Sequence, residues 1–405
     1  MPCDSRRTVD RPSARLASLR GMRLSPFLLL AALCSAPLCA DSNLPNVSTS
    51  AAVAPHDLLH ADDCTIDPAE PELSDDEAAA IERDEVAAAF RSSSTVDAVE
   101  LGNAAPTAPS DAVAEPGDEL WFVSSRSARL DADGRLRMPV FHYDGRGGWL
   151  SRSLDDLAAA DPQTPTCFFV HGNRVSLGQS NLVGWRYYTH LTAGCRKRPP
   201  LRFVLFSWPS DRICGSSRQD VQAKAVRAEC HAYFLARVVD RLPAESKLCL
   251  IGYSFGTRLI GGALHLLGGG DLRGQALAQR TVDARSVRAV MLAAATDNDH
   301  FLPGRSFQTA PSQIDRMLVT INRDDPAMKW YPMIYRFQLR RRLGQQALGY
   351  TGLAGLDCLP HLRGRVEHRD VTCAVGREHG WSAFEFLLPG FTETMRRYAY
   401  YEPLE

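Results

Sequence analysis

The sequence predicts an α/β chain built on an eight-stranded, mostly parallel sheet with helices on both faces. Three observations support this. Short apolar runs recur through residues 166–375, each about the length of a strand. These runs are apolar nearly throughout rather than alternating, as strands covered on both faces require, and helical segments separate most of them. With 405 residues, 45% of them hydrophobic, the chain has material for a large core in one or two globular units.

Taken in order, residues 1–40 read as an export signal. Arg23 precedes the apolar run from Pro26 to Cys34, small residues continue to Ala40, and Met22 is an alternative start. The run is shorter than the roughly 20 residues a membrane-spanning helix needs. Residues 41–117 are rich in Ala, Pro, Ser, Asp and Glu and poor in aromatics, so disorder is expected there. Within them, Ser74 and Glu77 form a capping-box pattern before an alanine-rich run, which predicts a short helix over 74–91.

Residues 118–405 are the predicted globular domain. It opens with a hairpin, WFVSSR and MPVFHYDG, around the turn Asp131–Gly134. Six further strands are expected at residues 166–170, 201–207, 247–252, 287–294, 317–321 and 370–375. An amphipathic helix is expected over Ser217–Arg241.

The formal net charge of −1 conceals an acidic stretch, 41–115, in which only Arg83 and Arg91 are basic. The basic surplus elsewhere, at Arg196–Arg202 and Arg336–Arg342, lacks interleaved aromatics, so no nucleic-acid partner is expected. Setting aside Cys3, Cys34 and Cys39 leaves eight cysteines of eleven, compatible with an oxidising compartment. Cys167, Cys249 and Cys373 fall in predicted strands, whereas Cys195, Cys214, Cys230 and Cys358 fall in or beside predicted loops and are the better disulfide candidates. No pair has metal-ligand spacing, and neither a metal nor an organic cofactor is expected.

The stretch LCLIGYSFGTRLIGGALHLL, Leu248–Leu267, passes from an apolar strand through Gly252-Tyr253-Ser254-Phe255-Gly256 into a helical pattern. This is the context of a nucleophile elbow, which exposes a serine hydroxyl at the N-terminus of a helix. With His171-Gly172-Asn173 after the third predicted strand and GYSFG after the fifth, the order resembles the α/β-hydrolase superfamily from about Leu120 onward. The segments FFVHGN, LFSWPSD, LIGYSFGTRL, NRDDP and REHG are most similar to an uncharacterised bacterial serine-hydrolase family.

That resemblance implies the order nucleophile, acid, base, which Ser254, Asp325 and His379 satisfy. Asp297, after the sixth predicted strand, is the alternative acid. Oxyanion donors are expected at the backbone N–H groups of Phe255 and Asn173. His171 is expected to be structural. Arg174, Trp208 and Tyr253 lie beside the expected site and are candidate substrate contacts. An insertion between acid and base, residues 330–356, alternates aromatic and basic residues, which fits either a lid or a packed surface helix.

The expected activity is an exported serine hydrolase acting on a small-molecule or lipid carboxylic ester, with thioester or amide as lesser options. The expected location is periplasmic, extracellular or at the cell envelope, with peripheral contact to membrane or envelope as a further option. A peptidase or acyltransferase using the same three residues is one alternative. A noncatalytic binding module on the same fold is another.

Overall fold

The computed structural model describes residues 105–107, 109, 113–146, 148–195, 197–213, 217–277, 286–332, 346–386 and 391–401. All of them lie in one compact unit spanning Cys64–Glu405. The expected export signal at 1–40, the capping box at Ser74 and the basic stretch Arg336–Arg342 fall outside the described residues.

The chain enters as β1 (Glu119–Ser124), forms a small ribbon from β2 (Arg129–Leu130) and β3 (Leu136–Arg137), and returns as β4 (Val140–Tyr143) and β5 (Trp149–Arg152). A short helix α1 (Leu154–Ala158) leads to β6 (Thr166–Val170), α2 (Leu177–Thr192), β7 (Arg202–Ser207), α3 (Ser217–Arg241), β8 (Leu248–Tyr253) and α4 (Phe255–Leu267). There follow β9 (Val287–Leu292), β10 (Ile314–Ile321), the short helices α5 (Pro326–Lys329) and α6 (Leu348–Thr351), and β11 (Val366–Asp370). Among the described residues three helices follow: α7 (Thr372–Val375), α8 (Trp381–Phe386) and α9 (Phe391–Tyr400).

Among the described residues nine strands form one sheet in the order β11-β10-β9-β8-β6-β7-β1-β4-β5. The pairings from β11 to β1 are parallel, and β4 runs antiparallel to both β1 and β5. Each central strand sends alternate side chains to opposite faces, and both faces are covered. Phe168 and Val170 join a core that includes α3 and α4, while Cys167 and Phe169 join a second core that includes α2 and α9. Burial on both sides is why these strands read as unbroken apolar runs.

The helices follow from their sequences in the same way. On α3, Ala225, Ala228, Ala232, Leu235 and Val239 recur at spacings of three and four and are all buried against the sheet. Ser176 opens α2 with a reciprocal cap, accepting from Gln179 N at 3.3 Å and donating its own N–H to Gln179 Oε1 at 3.0 Å. No described helix is long and apolar enough to cross a membrane.

The structure departs from the expected pattern in several places. The sheet has nine strands rather than eight, because the edge strand β5, half polar, escapes an apolar search. The strand expected at 370–375 is displaced to Val366–Asp370, and Cys373 sits exposed in the helical turn α7. The turn at Asp131–Gly134 closes the separate β2–β3 ribbon, while β1 and β4 pair directly in the large sheet. Cys230 is buried within α3 rather than beside a loop. Cys195, Cys230 and Cys358 are free thiols, as are Cys167 and Cys249, which face each other across β6 and β8. Cys214 lies outside the described residues. The end of the segment expected to be disordered is docked on α2, where Thr107 O accepts from Asn181 Nδ2 at 2.6 Å and Glu115 N donates to Tyr188 Oη at 2.7 Å.

Candidate active site

The strand-to-helix turn between β8 and α4 places Ser254 at its apex with φ 51° and ψ −120°. Left-handed φ is rare for a non-glycine residue and persists only where the surroundings enforce it. Here they do. Ser254 N donates to Leu292 O at 2.9 Å, and Ser254 O accepts from Ala295 N at 3.3 Å and Thr257 N at 3.0 Å, so the loop after β9 holds the turn. The flanking glycines are needed for closeness: a Cβ on Gly256 would lie 2.2 Å from Val170 O, and one on Gly252 would lie 2.8 Å from Thr257 N.

His379 lies on the loop between α7 and α8, and its Nε2 is 3.2 Å from Ser254 Oγ. On the other side of the ring, Nδ1 is 2.6 Å from Asp325 Oδ2. With Asp325 ionised, the proton sits on Nδ1 and Nε2 is the acceptor that faces the serine hydroxyl. Asp325 is fully buried and is the N-cap of α5, its Oδ1 accepting from Ala327 N at 2.8 Å and Met328 N at 3.2 Å. Pro326 at the first helical position fits that cap. One carboxylate oxygen is thus fixed by the helix, which aims the other at the imidazole.

The alternative acid is placed elsewhere. Asp297 is buried and paired with His300 Nε2, three residues along its own loop, and the described contacts of His379 do not include it.

Phe255 N is the first amide of α4 and has no intrahelical acceptor by position, as an oxyanion donor requires. The loop bearing Asn173 passes against Ser254: a Cβ on Gly172 would lie 3.1 Å from Ser254 Cβ. His171 props that loop. Its Nε2 accepts from Trp208 N at 3.2 Å and its Nδ1 donates to Gly172 O at 2.9 Å. Burial, reinforced by the Arg126 charge, brings its pKa down to about 3, so it is neutral at ordinary pH.

The three expected substrate contacts separate. Trp208 is fully buried, stacked on His171 with its Nε1 donating to His171 O at 2.8 Å, so it supports the loop and presents no face to a substrate. Tyr253 is also mostly buried. Its hydroxyl donates to the carbonyl oxygen of His379, and its ring packs against those of His379 and Phe384, each centroid 5.9 Å away. It ties down the loop that carries His379 rather than lining a pocket. Arg174 alone keeps an exposed side chain, 43% accessible, with Nε on Asp220 Oδ2 at 2.9 Å.

Two supports were not foreseen in the sequence. Asn322, at the end of β10, donates from Nδ2 to Gly376 O at 2.8 Å and pins the loop that carries His379. Behind the elbow, Arg258 on α4 donates to Glu229 Oε1 at 2.7 Å and to Tyr331 Oη at 2.6 Å, and the Tyr331 ring leans on Phe255. Burial alone raises the Glu229 pKa, but the Arg258 and Arg273 charges outweigh it and hold the carboxyl at about 2. An arginine four residues after a nucleophile gives no sequence signal of such a brace, because its partners are distant in the chain. Tyr331 is described, but residues 333–345 of the expected lid insertion are outside the described residues.

No protein-family model matches the chain. No curated protein matches it either. Similar solved structures include carboxyl esterase 2 from the mycorrhizal fungus Tuber melanosporum, at 14% identity over 79% of this chain and 98% of that one, with a TM-score of 0.32. An esterase B from Lactobacillus rhamnosis matches at 12% identity over 78% and 93%, with a TM-score of 0.30. An acetyl xylan esterase matches at 14% identity over 59% and 96%, with a TM-score of 0.26. At these identities and TM-scores, neither substrate nor residue roles carry over to this chain.

Proposed function

We propose that the protein is an exported serine hydrolase that cleaves a carboxylic ester, or less readily a thioester or amide, through an acyl intermediate on Ser254. The observation that carries this reading is the continuous chain from Ser254 Oγ through His379 to the buried Asp325, at 3.2 and 2.6 Å, on an elbow whose nucleophile is held at positive φ. A surface histidine needs no buried carboxylate behind it, and an ordinary helix start needs no left-handed serine.

His379 takes the Ser254 proton at Nε2 as Oγ attacks the ester carbonyl carbon. The carbonyl oxygen becomes an oxyanion held by the N–H groups of Phe255 and Asn173. The imidazolium is steadied by the Asp325 carboxylate. Collapse of this intermediate breaks the bond to the alkoxide, which takes the proton from His379 and leaves as the alcohol. Water then repeats the sequence on the acyl-enzyme, releasing the acid and restoring the Ser254 hydroxyl.

The test is reaction of the purified protein with a fluorophosphonate probe, followed by peptide mapping. The expected result is stoichiometric phosphonylation confined to Ser254, abolished by His379→Ala. Folded protein that takes up no label would overturn the reading.

A further inference from the structure

Arg174 has a combination of features that the acyl-transfer chemistry alone does not require. Its backbone is left-handed, with φ 57°. Its N–H is shared between Ser210 O at 2.7 Å and Asn173 Oδ1 at 2.9 Å. A non-glycine residue in this region is strained by the contact of its Cβ with the backbone. The surrounding loop therefore holds this residue in an uncommon conformation while leaving 43% of its side chain exposed.

The side chain is anchored from beneath. Asp220 accepts from Arg174 Nε at 2.9 Å through Oδ2. Through Oδ1 it accepts from Lys224 Nζ at 2.9 Å and Ile213 N at 3.0 Å. The Asp220 and Lys224 side chains are 1% and 0% exposed, so the anchor is rigid. It fastens one edge of the guanidinium. Among the described residues, no protein group accepts from Nη1 or Nη2.

The local charge is also unbalanced. Four cations, Arg126, Arg174, Lys224 and Arg227, interact with two carboxylates, Asp211 and Asp220. If all are ionised the cluster is positive by two charges; Arg174 is its most exposed cation, and the Asp211 carboxylate beside Arg126 is exposed as well. An anchored, planar fork with free terminal donors matches the two oxygens of an anionic group.

The cluster borders the reaction centre. Gly172 abuts Ser254, and two residues of chain span at most about 7 Å, so Arg174 stands within a short acyl chain of the nucleophile.

Resting on the serine-hydrolase reading, we infer that Arg174 selects the substrate class: an ester whose acyl part bears an anionic group, carboxylate or phosphate, a few bonds from the scissile carbonyl. The guanidinium takes that group through Nη1 and Nη2 while the carbonyl oxygen sits between Asn173 N and Phe255 N.

The test compares the 4-nitrophenyl half-ester of glutaric acid with 4-nitrophenyl pentanoate, which has a similar chain without the charge. A 4-nitrophenyl ester of a phosphate-bearing acyl chain distinguishes the two anions. The wild-type protein should favour one of the charged esters in kcat/KM. Arg174→Gln should lower the charged-to-neutral ratio about tenfold, mainly through KM, and 0.5 M salt should lower it in the wild type. Arg174→Lys should restore part of the ratio, because it keeps the charge and loses the fork.

Wild-type preference for the neutral ester, or equal losses on charged and neutral esters in Arg174→Gln, would overturn the inference. Fluorophosphonate labelling of Ser254 in the same preparations separates this failure from failure of the hydrolase reading. Labelling without charge selectivity removes only the role of Arg174, whereas absent labelling in the wild type removes both.

Discussion

Replacing Tyr253 by Phe removes one oxygen atom and tests whether the residue before the nucleophile acts by holding the base. The His379 loop is tied at two points, by Tyr253 Oη on the His379 carbonyl and by Asn322 Nδ2 on the Gly376 carbonyl at 2.8 Å. The phenol is buried, and burial raises its pKa well above the usual tyrosine range, so at neutral pH it is a protonated donor. A buried neutral hydrogen bond contributes about 1 kcal/mol net. If that bond keeps the loop in place, its loss shifts the equilibrium constant that places Nε2 in reach of Ser254 about fivefold, since RT is about 0.6 kcal/mol. The Phe ring preserves the packing against Phe384. The expected result is a fall of up to about fivefold in kcat on 4-nitrophenyl acetate and in the Ser254 phosphonylation rate, with KM little changed and unfolding free energy lower by about 1 kcal/mol. Adding Asn322→Ala should lower the rate by more than the product of the two single effects, because the loop then loses both ties. Loss of stability with kcat within a factor of 1.5 of wild type in Tyr253→Phe, and no rate lower than that of Asn322→Ala in the double variant, would refute the positioning argument and leave Tyr253 a packing residue.

The acid assignment separates two substitutions. Asp325→Asn keeps a residue able to cap α5 and should slow Ser254 labelling by about a thousandfold or more, whereas Asp297→Asn should slow it less than tenfold; the reverse order would reassign the acid. Gly256→Ala puts a methyl 2.2 Å from Val170 O, and a urea titration should show a loss of about 3 kcal/mol. Stability should also fall with acid through His171. Its folded pKa of about 3 lies below the unfolded value near 6.5, so its contribution is intact above pH 6.5 and is lost as pH falls toward 3, about 1.4 kcal/mol per pH unit. Unfolding free energies measured from pH 7 to 4 should therefore have a slope reduced by nearly one proton in His171→Gln, and an unchanged slope would contradict the neutral buried imidazole.

The strands β6 to β10 are legible in the sequence because both their faces are covered, which forces Thr166–Val170 or Leu248–Tyr253 to be apolar residue after residue. The edge strands are not. β5 reads WLSR and β11 reads VEHRD, since a strand at a sheet margin packs on fewer neighbours and tolerates polar side chains. The serine, the acid and the histidine can be placed in order because each follows a strand end, and the structure brings those three together. Their supports are hidden for a different reason. Whether Trp208, Tyr253 or Arg174 faces solvent or scaffold depends on partners 37, 126 and 46 positions away, and no local pattern encodes such distances. The same holds for Arg258 and Glu229, two charged residues on helices that look like ordinary surface positions until the helices pack.

The sheet order also sets when the molecule acquires its chemistry. From β8 onward each new strand is laid at the same margin in chain order, β8, β9, β10 and then β11. A chain folding from its N-terminus therefore seats the serine first, the carboxylate two strands later and the imidazole only after the outermost strand. A nascent or truncated chain ending near residue 320 has the core of the sheet and its nucleophile, but neither a base nor an acid to activate it. On the serine-hydrolase reading proposed above, hydrolytic competence would coincide with completion of the fold, and an unfinished molecule would be chemically silent wherever it is made.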